Sequence, residues 1–220
     1  MLALAAGCSQ IVGFKDVTLE EKEDGGTGSD ADASGDAAID AMPDAIVDAM
    51  IDGPPPNLYV FRTSGNFIGS FGAAAGARAT ADIKCQDIYN LAYSTKGCAL
   101  ANIHAVIHID DTVDSLARMD ITFPIPQGVQ LKRITDETVV AQSWDEFINP
   151  NAALIAPVDT GASAVTFWSG RGSSSNMTCS GWTATGGNGN AGDLTKVNQW
   201  TNQSAPACSS ANQKLLCICW

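Results

Sequence analysis

Residues 57–220 predict an α+β domain, with short helices, a mixed antiparallel sheet and long loops held together by disulfides. Three observations carry this. Alternating and helical apolar periods occur in the same stretch of chain. The periodic segments are short and separated by turn-rich sequence. Six of the seven cysteines lie after residue 84, an even set of the kind that staples an extracytoplasmic domain.

Taken in order, the first element is the apolar strand Leu58 to Phe61. A helix follows Thr80, where Ala81, Cys85, Ile88 and Ala92 fall on one face at i, i+4, i+7 and i+11. Residues 102–110 alternate. Ile103, Ala105, Ile107 and Ile109 share one face of a strand, and His104, Val106 and His108 share the other. Ser143 with Glu146 forms a capping box that opens a short helix over Trp144 to Ile148. Val165, Phe167 and the run Leu215 to Ile218 read as strands. Residues 169–195 are rich in Gly, Ser, Asn and Thr and read as one long irregular loop, a kind of segment that is commonly functional.

The rest of the chain is not globular in character. Residues 1–56 hold twelve carboxylates against Lys15 and Lys22, a net charge of −10, so residues 57–220 contribute only −2 of the total −12. The domain therefore carries no basic footprint for nucleic acid. From Asp32 an aspartate recurs at every fourth position, through Asp36, Asp40, Asp44, Asp48 and Asp52. Like charges at this spacing repel on a helix. Gly35 and Pro43 interrupt the run, and Pro54, Pro55 and Pro56 close it with an extended spacer. Residues 9–56 are expected to be a disordered tether reaching roughly 40 Å as a random coil. Calcium is disfavoured there, because the carboxylates do not converge on one loop.

Residues 4–8, Leu-Ala-Ala-Gly-Cys, resemble a lipobox, the cleavage and acylation site of bacterial lipoproteins. The resemblance implies a lipid on Cys8, a membrane as partner, and residues 1–8 as the remnant of a signal. Only six residues precede Gly7, fewer than the apolar run of a complete signal, which predicts that the chain as written begins inside it. Acyl chains contribute about 0.8 kcal/mol per buried methylene, so two or three anchor a protein durably. No segment approaches the ~18 apolar residues of a membrane-spanning helix. Ser9 follows Cys8 where lipoprotein sorting would read an Asp as retention, so the resemblance points to the outer membrane and cell surface.

The domain also has a family resemblance. An apolar strand and Gly-rich turn lead into a helix bearing Ala81, Asp82 and Cys85. "IHAVIHI" follows, then a strand with a short helix beginning Ser143-Trp144. "VTFWSGRG", Cys179 with Trp182, and the closing "CSSANQKLLCIC" complete the series. In order and spacing these resemble the C-type-lectin-like and endostatin-like fold found in bacterial surface lipoproteins. The resemblance implies Cys85 paired with Cys217 and Cys179 with Cys208, leaving Cys98 for Cys219. The cysteine spacing by itself allows the swap Cys85–Cys219 with Cys98–Cys217 as well. It also implies core positions for Trp168 and Trp182, and a non-catalytic domain that binds carbohydrate or protein through its loops.

Candidate ligand contacts lie in the polar loop and just beyond it. Trp200 could stack on a sugar ring, with Arg171, Asn176, Asn198 and Gln199 as hydrogen-bond donors. Trp220 reads as similarly free. His104 and His108 would stand about 13 Å apart along a strand, too far to chelate one ion, and Asn188, Asn190 and Asp193 hold a single carboxylate. No metal or cofactor is expected. Asp110, Asp111 and Asp114 cluster at a strand exit with no nucleophile oriented beside them, so no enzymatic activity is expected. A structural or adhesion component of the envelope, without a small-ligand site, is the alternative reading.

Overall fold

The computed structural model describes residues 57–220 except 73, 113 and 173–175. The expectations for Cys8 and for the acidic tether fall on residues outside that set. Strands are β1 (Leu58–Arg62), β2 (Ile103–Ala105), β3 (Leu131–Arg133), β4 (Val139–Ala141), β5 (Thr166–Trp168), β6 (Ala191–Asp193) and β7 (Leu216–Cys219). Helices are α1 (Ala74–Ala92), α2 (Met119–Thr122) and α3 (Trp144–Ile148). One further helical turn spans Cys179–Trp182. The fold is α+β with a mixed sheet, as the sequence predicts. The helical content differs, since α1 is 19 residues long and begins before Thr80.

Five strands form the main sheet in the order β2-β7-β1-β3-β4. Only β1 and β3 are parallel, with Leu58 opposite Leu131. The first and last strands meet at the centre of the sheet, antiparallel, with Tyr59 opposite Cys219 and Arg62 opposite Leu216. This places the start of the domain beside its C-terminus. A second sheet pairs β5 with β6.

The main sheet is buried on both faces, and the period of two explains how. Leu58 and Val60 of β1, with Leu216 and Ile218 of β7, point into a core holding Trp144, Phe147, Phe167 and Trp200. Tyr59 and Phe61, with Cys217 and Cys219, point the other way, toward α1, Trp168 and Trp182. The alternation over residues 103–109 obeys the same rule. Ile103, Ala105, Ile107 and Ile109 face the α1 side, and Val106 faces the opposite core.

Helix α1 buries Ala77, Ala81, Cys85 and Tyr89. That face is rotated from the expected one: Ala92 is exposed and Ile88 half-buried. The small side chains of Ala77 and Ala81 let the helix approach the sheet closely, while Tyr89 fills the space further along and accepts a hydrogen bond from the Cys98 amide at 2.8 Å. Polar contacts then fix the helix in place. Arg78 bonds the carboxylate of Asp114 and the carbonyls of Ala105 and Ile107. Asp82 accepts the Ala105 amide at 2.7 Å.

The disulfides are Cys85–Cys217, Cys98–Cys219 and Cys179–Cys208, the pairing that the resemblance implies. Cys217 and Cys219 alternate onto one face of β7 and both meet the α1 side. The segment over residues 131–141 is a β3–β4 hairpin and not one strand. At α3, Ser143 Oγ accepts the Glu146 amide at 3.2 Å as a capping box requires. In return, Glu146 Oε2 accepts the Gln142 amide at 2.9 Å, one residue earlier than the usual pattern.

Candidate functional site

Two loops lie beside each other at one edge of the α1-side core. One follows β2 and carries His108, Asp110 and Asp111, and the other follows β5 and carries Ser169, Gly170, Arg171, Asn176 and Trp182. The second segment is anchored to the first by backbone: the His108 amide donates to Ser169 O at 2.9 Å. Trp182 Nε1 donates to His108 O at 2.7 Å. Gly170 fits between them at φ 71°, where a Cβ would lie 2.5 Å from His108 O. Only glycine satisfies both the backbone angle and the space.

The turn that carries Trp182 is unusual. Cys179, Ser180, Gly181 and Trp182 all have φ between 50° and 67°, a single left-handed helical turn. Each non-glycine residue there costs roughly 1–2 kcal/mol. Three contacts hold it: the bond from Cys179 to Cys208, the buried Trp182 ring against Trp168 at 5.5 Å, and Thr178 Oγ1 accepting the Gly181 amide at 3.1 Å. Trp168 and Trp182 are both fully buried, in keeping with the core positions expected for them.

On this scaffold the polar groups gather. Asn176 is exposed; its Nδ2 donates to Asp111, and its Oδ1 accepts the Gly172 amide at 3.2 Å. Arg171 is half-buried, and one guanidinium nitrogen donates to Ile148 O at the end of α3. Burial lowers the Arg171 pKa, since the charged form loses hydration. His108 is buried. Asp111 Oδ1 stands 3.1 Å from its Nε2, but off the hydrogen-bonding direction, so Nε2 has no directed partner among the described residues. Burial lowers the His108 pKa, and the Arg171 charge adds to this. Asp111 and Asp110 oppose it.

The structure divides the five expected ligand contacts. Arg171 and Asn176 belong to the polar loop face just described. Asn198 and Gln199 are exposed on a separate turn preceding Trp200, where Gln203 Nε2 donates to Gln199 O at 2.9 Å. Trp200 itself is not available for stacking on a ligand. It is 2% exposed, with its ring 4.6 Å from Phe147 and 5.6 Å from Phe167. The β5–β6 sheet explains the inward turn. The Asp193 amide donates to Trp200 O at 2.8 Å, and Gly192 leaves room for that carbonyl where a Cβ would stand 2.3 Å away. Trp220 is likewise buried, packed 5.5 Å from His104.

The long loop is better ordered than its composition suggests. Residues 189–194 are buried. Asp193 Oδ1 accepts from the Thr195 amide at 2.9 Å and the Thr195 hydroxyl at 2.7 Å. Its carboxylate is thereby committed to a local turn. Among the described residues no three His, Cys, Asp or Glu side chains converge as a metal site would require. His104 lies on the opposite core, its ring stacked 3.7 Å from Phe123 and its Nδ1 3.0 Å from Asp82.

No known protein family matches the chain, and no curated protein is significantly similar to it. Among the described residues, no helix is long and apolar enough to cross a membrane.

Sequence reasoning found Arg171, Asn176 and the Asp110–Asp111 pair but did not bring them together. That convergence rests on contacts between segments distant in sequence, Asn176 with Asp111 and Arg171 with Ile148 O, which local sequence does not show.

Proposed function

We propose that the protein is a lipid-anchored extracytoplasmic binding protein. In this reading Cys8 bears the lipid, residues 9–56 are the tether, and residues 57–220 are a C-type-lectin-like domain without catalytic activity. Its ligand is a carbohydrate or a protein, met at the polar loop face of Arg171, Asn176 and Asp111. Asn198 and Gln199 offer a second set of exposed polar groups.

One observation carries the reading: the polar side chains of Arg171 and Asn176 are held by contacts with residues distant in sequence. Asn176 is braced by Asp111, and Arg171 by the Ile148 carbonyl. The supporting turn is held in a left-handed conformation by a disulfide and a buried tryptophan. Strained backbone persists only where its surroundings hold it, and it clusters at functional sites. Pre-ordering also reduces the entropy lost when a ligand binds. The buried Trp200 plays no direct part.

The test is a broad glycan array probed with the full-length oxidised chain, once with calcium and once with chelator. Binding that survives chelation supports metal-independent recognition of carbohydrate. Silence in both conditions shifts the reading to a protein ligand, sought by crosslinking at the cell surface.

A further inference from the structure

The carboxyl ends of the parallel strands β1 and β3 open into a cleft of about 360 Å³, remote in sequence from the polar loop face. One end of the cleft is charged. Arg62 ends β1 and Arg133 ends β3, and both line the cleft with Asp159. Arg62 Nε donates to Asp159. Arg133 is 7% exposed. It spends Nη1 on Asp136 at 2.7 Å and Nη2 on Pro157 O at 2.6 Å. Its Nε–H is buried and has no partner among the described residues. A buried guanidinium N–H without an acceptor is costly, and with Nη1 and Nη2 already bonded Arg133 contributes charge to the cleft and not a free donor.

Charge in this corner favours an anion. Lys214 sits beside Arg62 and Asp159 and donates to Ser64 O. Of the charged residues lining the cleft, two are cations, Arg62 and Arg133, and one is a carboxylate, Asp159. The opposite wall is aliphatic. Ile88 and Leu91 come from the end of α1. Leu91 is 82% exposed, an apolar side chain at the cleft wall that the domain itself leaves uncovered. Ligands of open sheets characteristically bind outside the carboxyl ends of parallel strands.

We infer that this cleft binds a small carboxylic acid with an apolar body, its carboxylate at the partly exposed Arg62 with the Arg133 charge behind it, and its hydrocarbon on Ile88 and Leu91. Guanidinium groups match a carboxylate by paired N–H donors, and the aliphatic wall suits hydrocarbon better than a ring of hydroxyls. This site is separate from the loop face and does not depend on how that face is used.

Hexanoate titrated into the full-length oxidised chain, followed by amide NMR shifts, tests this. The expected result is saturable binding, with shifts at Leu91, Ile134 and Thr160. Acetate lacks the apolar body and hexanol lacks the charge, so each should bind at least about tenfold more weakly. Arg62→Met removes a carboxylate donor. Leu91→Asp puts a like charge at the exposed wall without touching the core. Both should weaken hexanoate at least about tenfold, and an unchanged Leu91→Asp melting temperature confirms that its fold survives. Equal binding of hexanol, or undiminished binding by both variants, overturns the proposal. So does a lack of saturation. Saturation by glucuronate in preference to hexanoate overturns the apolar-body assignment.

Discussion

Asp82 of α1 holds His104 of β2. One carboxylate oxygen lies 3.0 Å from His104 Nδ1, and the other accepts the Ala105 amide at 2.7 Å. A carboxylate in this position only accepts, so Nδ1 carries the proton. The same side chain thus sets the tautomer of a buried histidine and registers the long helix on the edge strand. Asp82→Ala leaves two buried donors without acceptors. We expect a loss of about 2–4 kcal/mol, measured by urea denaturation of the oxidised protein.

His108 should make the fold sensitive to mild acid. Burial lowers its pKa in the folded protein below that of the unfolded chain, so the unfolded state takes up more protons as pH falls through the ordinary histidine range. Stability is complete above about pH 6.5 and declines as pH drops toward the lowered folded pKa. His108→Gln should flatten the melting-temperature profile between about pH 7 and pH 5. An identical profile for the two proteins would remove His108 as the cause.

The two staples on β7 should act together. With Cys98–Cys219 intact, Cys85–Cys217 closes a further loop of only about 15 residues, worth about 3 kcal/mol in the chain-entropy model. Removing either bond alone should therefore cost about 3 kcal/mol. Removing both also releases a loop of about 120 residues, for a total of about 8 kcal/mol. Denaturation of the three variants should show this excess over the sum of the single losses. Simple additivity would mean that the staples do not share one loop.

Trp200→Ala should unfold and not unbind. The ring is packed between Phe147 and Phe167, and truncating such a side chain costs about 3–5 kcal/mol. By contrast Asn198→Ala and Gln199→Ala should stay within about 0.5 kcal/mol of the parent. Thermal melts of the three variants separate a core residue from surface ones.

Much of this architecture is legible in the sequence because it rests on periodicity. The alternation over residues 103–109 and the apolar pattern of β1 and β7 specify which core each side chain enters. The capping serine and glutamate mark the start of α3. What local sequence does not show is which polar loop closes over an aromatic. Trp200 follows Asn198 and Gln199, two exposed polar residues, and its burial depends on a contact with β6 and on the space left by Gly192. The face of α1 was obscured in a similar way, because Ala77 and Tyr89 join it only when sheet and helix are set together. The Arg62–Arg133 corner is illegible for a plainer reason: its residues are brought together by parallel pairing of strands about 70 residues apart.

The central claim is recognition through a pre-positioned polar loop face, and Arg171 tests it most directly. Any glycan retained on the array would be titrated against the full-length chain and against Arg171→Ala. We predict at least about a tenfold loss of affinity with the domain still folded and its melting temperature only modestly lowered, since the bond to Ile148 O is lost too. Glycan binding that Arg171→Ala leaves intact would contradict the assignment of this face.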